Sequence, residues 1–365
     1  MHKRIKSYNR RDFIKTGLSG AISLSSIPAM LAACAETSGS FKFVVSIVRK
    51  GDQSTRYAVE KAIDLLGGII SVTQNKERIL LKPNLVGDLD YSTTKPEVIE
   101  ALVLLMKGAG KEVTIGEGSA AAGGFNVVGP DVYRTRKSDI LDGMQKHVFD
   151  KLGYGELAES NNIQLINFHG GDLVEVQVED GLFMDKIILH KSIAETDMLC
   201  SVPMMKTHVL ATVTLGLKNL IGLYPGSEYY SVRSWLHDRA AEAGSPGIAF
   251  EILDIVRATK PGLTVIDGTT AMEGDGPSEG TLVDMGLIIA SSNPLAADMV
   301  ASKIMGFEPH KIPHLSMAMK AGLGPASLSE IEIRGDQIED VKRPFIPPSI
   351  YNWTDINQVW GNKEL

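Results

Sequence analysis

Lys206, His208, Lys218 and Asn219 lie within Ser201–Tyr224, SVPMMKTHVLATVTLGLKNLIGLY, a stretch that is otherwise largely apolar. An ammonium head in apolar surroundings is unfavourable unless a carboxylate or an anionic ligand faces it. Two lysines, a histidine and an amide in that setting are suited to hold a small anion and to move a proton on it. Lys206 and His208 are the candidate catalytic pair, and Lys218 and Asn219 the candidate ligand contacts. The alternative is that each lysine stem covers apolar surface while its head stays in water.

Other polar sets have the same flavour. Asp267, Glu273 and Asp275 sit in DGTTAMEGDGPSEG (267–280), a glycine-rich acidic loop. Such a loop can hold a divalent cation through oxygen ligands, position the lysines, or lie in solvent; its spacing differs from an EF-hand. Which cofactor the chain takes, if any, stays open. Lys82-Pro83-Asn84 adds a cation and an amide, although Pro and Asn also make a turn. Glu117 and Ser119 fall in GEGSAA (116–121), the G-x-G-x-x-A order of dinucleotide loops. Gly123 and Gly124 follow at once and this is not the first βα turn, which favours a plain loop. His310 and His314 are separated by a helix-starting Pro313 and need not share a face, whereas His237 is a candidate for acid–base or supporting work. No G-x-S-x-G, H-E-x-x-H or complete P-loop occurs.

These residues need a frame. Phe41–Val48, Arg78–Leu81, Glu112–Ile115, Ile163–Asn167, Met198–Val202, Leu263–Ile266 and Leu287–Ala290 read as strands. Thr55–Leu66, Pro96–Lys107, Ile248–Thr259 and Pro294–Met305 read as helices between them. That alternation predicts an α/β fold with a mostly parallel sheet flanked by helices. Leu173–His190 alternates apolar and polar residues and predicts an antiparallel excursion mid-chain. Lys82–Asn84, Glu117–Ser119, Lys206–His208, Asp267 and Asn293 all follow a strand closely. In an open parallel sheet they would meet at one rim, where ligands bind.

The N-terminus has a different character. Arg10-Arg11 precedes an apolar, Gly- and Ser-rich stretch, Gly17–Ala33, interrupted by Pro28. It is too short and too weakly apolar for a membrane span, and its order matches a twin-arginine export signal. Leu31-Ala-Ala-Cys34 matches a lipoprotein box that would lipidate Cys34, while Ala33-Cys34-Ala35 also suits ordinary signal peptidase. The expected layout is a signal at 1–33, a tether at 34–40, one α/β domain at 41–342 and a Pro-rich tail at 343–365. Expected partners are the twin-arginine machinery, a small anionic ligand, and the membrane through a lipid on Cys34. Removing 1–33 leaves 31 basic and 43 acidic residues, a net charge of −12. Such a body disfavours nucleic acid, whose phosphates need neutralising. With Cys34 lipidated, Cys200 alone remains, which excludes a disulfide framework and a Cys-ligated iron–sulfur cluster within one chain.

The order of several segments resembles the DUF362 family, named for its undefined function. They are ILLKPNLV (79–86), TTKPEVIEAL (93–102), VTIGEGS (113–119), VPMMKTH (202–208), LKNLIG (217–222), IDGTTAMEGDGPSEG (266–280) and NPLAADMVASKIMG (293–306). The resemblance runs from about Phe41 to Gly335. It implies that Lys82, Asn84, Lys206, His208, Lys218, Asn219, Asp267, Glu273, Gly274, Gly276 and Asp298 are marked positions. Many relatives look fused to, or partnered with, ferredoxin-type modules, but this chain lacks the cysteines for one. Two function classes stay open: an envelope enzyme acting on a small anion, or a lipid-tethered protein that binds one or assists assembly without turnover.

Overall fold

The computed structural model describes residues 7–8 and 43–349. Arg10, Arg11, Cys34 and the tether lie outside the described residues. In chain order the site-bearing elements are β1 (Phe43–Arg49), α1 (Thr55–Leu65), β2 (Arg78–Pro83), α2 (Pro96–Gly108), β3 (Glu112–Glu117), α3 (Ser138–Lys151), α4 (Tyr154–Asn161) and β4 (Gln164–Asn167). Then follow β5 (Leu173–Gln177), β6 (Lys186–His190), β7 (Met198–Val202), β8 (Met204–His208), β9 (Thr212–Thr214) and the short helix α5 (Gly216–Asn219). The last are α6 (Ser234–Glu242), α7 (Ala249–Thr259), β10 (Leu263–Glu273), β11 (Thr281–Ser291), α8 (Pro294–Ile304), α9 (Pro313–Lys320) and β12 (Ile331–Gly335).

The main sheet is ordered β12-β1-β11-β10-β7-β2-β3-β4, with β8 paired to β10 and β9 to β8. All neighbours on the long path are parallel except those of β11, which runs against β10 and β1. The β5–β6 pair is the antiparallel excursion that the alternation between 173 and 190 predicts. Successive strand residues face opposite sides and feed two cores. Leu80, Ile266, Leu287 and Ile289 pack on one side with α7, α8 and α9. Ile79, Leu81, Val265, Ile288 and Ala290 pack on the other with α1, α2 and α3. Central strands covered on both faces are largely apolar, and every residue of Met198–Val202 is buried.

The direction of β11 changes one expectation. Asn293 follows a strand, but that strand is antiparallel, so Asn293 lies at the end of the sheet opposite the parallel-strand rim. There it caps α8, its Oδ1 accepting from Ala296 N at 2.9 Å. The segment after residue 342 crosses the end of β10: Phe345 N donates to Met305 O at 2.8 Å and Ile346 N to Glu273 Oε2 at 3.0 Å. Among the described residues no helix is long and apolar enough to cross a membrane.

Candidate functional site

A cavity of about 60 Å³ opens where β2, β3, β8 and α5 end. Lys82, Asn84, Glu117, His208, Lys218 and Asn219 line it, joined by Arg233 and His237. The parallel strands deliver Lys82 and Glu117 side by side, because β2 and β3 are neighbours in the sheet. Ser201 lies opposite Lys82 in the register of β7 with β2. Its hydroxyl donates to Gly216 O at 2.8 Å, which ties the start of α5 to the strand ends.

Hydrogen-bond capacity divides the lining into two parts. Lys82 Nζ donates to Glu117 Oε2 at 2.7 Å, Pro83 O at 2.8 Å and Asn219 Oδ1 at 3.1 Å, which uses all three of its protons. Glu117 also accepts from Leu85 N at 2.9 Å and Gly118 N at 2.8 Å. Asn219 donates to Lys82 O at 3.0 Å and Ser201 Oγ at 3.1 Å, and accepts from Asn84 Nδ2 at 3.1 Å. This part is closed. Gly222 lies against it, since a Cβ there would stand 2.2 Å from Glu117 Oε1 and 2.8 Å from Lys82 Nζ. Burial pushes the Lys82 ammonium down, against the pull of Glu117.

The other part is unfilled. Lys218 makes no hydrogen bond or ion pair among the described residues. Burial, then the positive charges of Lys82 and Arg233, push its pKa down to about 7. Arg233 is 2% exposed and has no carboxylate partner among the described residues. It donates to the carbonyls of Gly118, Ser119 and Gly222, and its Nε has no partner. Burial lowers its pKa to about 10. Asn84 Oδ1 is also without a partner, but it is buried out of reach of the cavity.

Two histidines complete the cavity. Leu210 N donates to His208 Nδ1 at 3.0 Å, so the neutral ring carries its proton on Nε2. Burial, then Lys218 and Lys206, hold His208 well below the ordinary histidine range. His208 is therefore a neutral N–H donor, and its geometry suits stabilising negative charge better than releasing a proton. His237 Nδ1 is 2.8 Å from Glu251 Oε1, and both side chains are buried. Burial pushes His237 down to about 3 and lifts the Glu251 carboxyl well above its usual range. The pair can accept a proton at Nε2 while the bridging proton moves onto Glu251, creating no buried cation. That is the better base. Its sequence signal was only the motif-free His237, and nothing in the sequence pointed to Arg233.

Arg233 is carried by a strained turn. Tyr230, Val232 and Arg233 have φ of 61°, 50° and 58°, a region that costs a residue with a Cβ about 1–3 kcal/mol. The loop after β3 holds this turn: Ser231 N donates to Thr135 O at 2.7 Å and Val232 N to Ala120 O at 3.2 Å. The same closeness explains the glycines of GEGSAA. A Cβ on Gly116 would meet the Phe168 ring at 2.1 Å, and one on Gly118 would meet Gly222 O at 2.8 Å. No helix follows that loop until Ser138, so it lacks the helix N-terminus a dinucleotide site uses.

The remaining sequence candidates lie elsewhere. Lys206 is fully buried beside the cavity, its Nζ held by Ser92 O and Pro277 O, and it ties two loops together. Ser119 is buried behind the lining; its N–H donates to Gln145 Oε1 at 2.7 Å. Asp298 accepts from Gly216 N at 2.7 Å and Leu217 N at 2.8 Å, and so caps α5 from α8 instead of facing the cavity. Burial lifts its pKa to about 7. Asp267 accepts from Lys95 N at 2.9 Å, at the start of α2, and from Thr269 Oγ1 at 2.6 Å. Glu273 holds Ile346, and Asp275 accepts from Ser349 N at 2.6 Å. Thus Asp267, Glu273 and Asp275 are engaged separately. Among the described residues no group of three or more His, Cys, Asp or Glu could hold a metal ion. His314 is buried and His310 exposed, so the two do not act together.

The chain resembles known proteins over much of its length. It is 28% identical, over 73% of its length and 74% of the relative's, to a thylakoid-associated protein, sll1697, of Synechocystis sp.. The lactate racemase apoprotein of Thermoanaerobacterium thermosaccharolyticum superposes with a TM-score of 0.41 at 14% identity. That match covers 73% of this chain but spans only 58% of the racemase. A domain of unknown function, DUF362, matches residues 79–303, which carry the whole cavity lining, and the chain belongs to that family.

Proposed function

We propose that the protein is an exported enzyme of the cell envelope that takes a small anion into this cavity and moves a proton on it. The observation that carries the reading is that Lys218 and the Nε2 of His208 line the cavity without a hydrogen-bond partner among the described residues, next to the buried charge of Arg233 and the His237–Glu251 pair. Lys218 and Arg233 supply the positive field, with only Glu117 of opposite charge on the wall and that carboxylate already paired with Lys82. Charge-assisted hydrogen bonds to an anion are about twice as strong as neutral ones, which makes this wall a seat for a carboxylate, phosphate or sulfonate. His208 Nε2–H stabilises negative charge that develops on the ligand, and His237 receives the proton. Arg10 and Arg11 direct export and Cys34 carries the lipid. The name of the Synechocystis relative, thylakoid-associated, is in keeping with a place at a membrane.

The test begins with protein purified natively from the membrane fraction, followed by mass spectrometry of the intact chain and of released small molecules. A diacylated Cys34 and a co-purifying small anion are expected. Turnover of that compound should then vanish in His237→Gln while its affinity changes less than about threefold. Graded affinity losses with no turnover in any form would move the protein to the binding class.

A further inference from the structure

We infer that Lys218 is a nucleophile, and that its amine condenses with the carbonyl of a small 2-oxo acid held in the cavity to form an imine. The inference rests on the anion-site reading above and names the substrate class.

The amine is both uncommitted and within reach. Lys218 lines the cavity, is partly exposed, and makes no hydrogen bond or ion pair among the described residues. Unlike the unpaired Nε of Arg233, its Nζ keeps accessible surface, so a molecule in the cavity can touch it. The other two lysines nearby are spent: Lys82 on Glu117, and Lys206 on the carbonyls of Ser92 and Pro277. A lysine attacks only without its proton, and a desolvated amine beside other cations gives that proton up. Burial, then Lys82 and Arg233, bring Lys218 to about 7, so about half of the molecules carry the free amine at neutral pH.

The cavity also holds what the condensation needs. His237 lines it and lies close enough to feel the charge of Lys218. The Lys218 nitrogen bonds to the carbonyl carbon, and His208 Nε2–H steadies the oxygen while it is negative. The two amine protons pass by way of His237 Nε2 to that oxygen, the C–O bond breaks, and water leaves behind a C=N bond. Atoms and charge balance with no oxidant or reductant. The imine draws electrons from the neighbouring carbon, which loosens a C–H there for the same histidine to take. A carboxylate next to the carbonyl suits the positive wall, since Arg233 has no carboxylate partner among the described residues and Glu117 is paired with Lys82. A cavity of about 60 Å³ has room for roughly four to six water-sized groups, about the size of pyruvate.

Reductive trapping tests this. The full-length chain is incubated with pyruvate and cyanoborohydride, digested, and mapped by mass spectrometry, while calorimetry follows acetate binding to the same chain. A carboxyethyl group should appear on Lys218 at least about tenfold faster than on any other lysine, and saturating acetate should slow it. Lys218→Arg keeps a cation for acetate but cannot form an imine, so it should bind acetate and lose the adduct. Acetate binding with no preference for Lys218 in the trapping would overturn the imine and leave the anion seat standing. Absence of both would overturn the inference and the anion-site reading together. The site preference is read on the unaltered chain, so it decides the matter even if Lys218→Arg fails to fold.

Discussion

Lys82 and Lys218 are both lysines on one cavity wall, and their surroundings differ in kind. Lys82 has three acceptors and a carboxylate at 2.7 Å, whereas Lys218 has neither acceptor nor carboxylate among the described residues. The first is part of the scaffold: it closes the ends of β2, β3 and α5 into one network. The second is kept ready for something that arrives. Lys82 is buried and Lys218 partly exposed, and residue type alone does not identify a ligand contact. Unfilled hydrogen-bonding capacity does, and it assigns His208 to the side of Lys218, with the charge of Arg233 beside them.

The strongest way to break this contrast is to remove each cation in turn. Lys82→Met should destabilise the chain by about 3–5 kcal/mol in denaturant unfolding, because it strands a buried Glu117. Lys218→Met should cost nothing or stabilise, since it removes an uncompensated cation. Equal losses in the two variants would erase the distinction. For binding the order reverses: Lys218→Met should weaken a small carboxylate such as acetate by about 10–100-fold, the worth of one charged hydrogen bond.

The sequence made the rim legible because strand ends are easy to read. Lys82, Asn84 and Glu117 follow apolar runs directly, and the rule that ligands bind beyond parallel strand ends brings them together with His208 and Lys218. What the sequence concealed was direction and coverage. Leu287–Ala290 reads as a strand but carries no mark of running antiparallel, so the strand-end rule places Asn293 at the wrong end of the sheet. The acidic loop looked like one unit, yet Asp267 caps α2 while Glu273 and Asp275 hold residues of the segment after 342. Arg233 was hidden because it sits on a left-handed turn between helices, with no periodicity to announce it. His237 needed Glu251 from the following helix before its chemistry could be stated.

Titration sharpens the contrast further. The ammonium of Lys218 faces the fields of Lys82, Arg233, Glu117 and Glu251, and it loses its proton in the folded chain near pH 7. Affinity for a carboxylate should hold below that pH and fall by up to about tenfold per unit above it, as read by calorimetry. The unfolded chain retains this proton until about 10.5, so between the two values Lys218 makes the apoprotein more stable as pH rises. The smallest effect concerns the support of α5. Asp298→Asn leaves one of two backbone donors without an acceptor and should cost about 1 kcal/mol in unfolding experiments.

The anion seat stands or falls on the pKa of the Lys218 ε-amine, followed by NMR on isotope-labelled lysine with and without saturating acetate. A value of about 7 is expected in the free protein, with a clear rise once the anion is bound. A free-state value near the ordinary 10.5, unchanged by acetate, would mean that Lys218 is a solvated surface cation and that the cavity is not an anion seat.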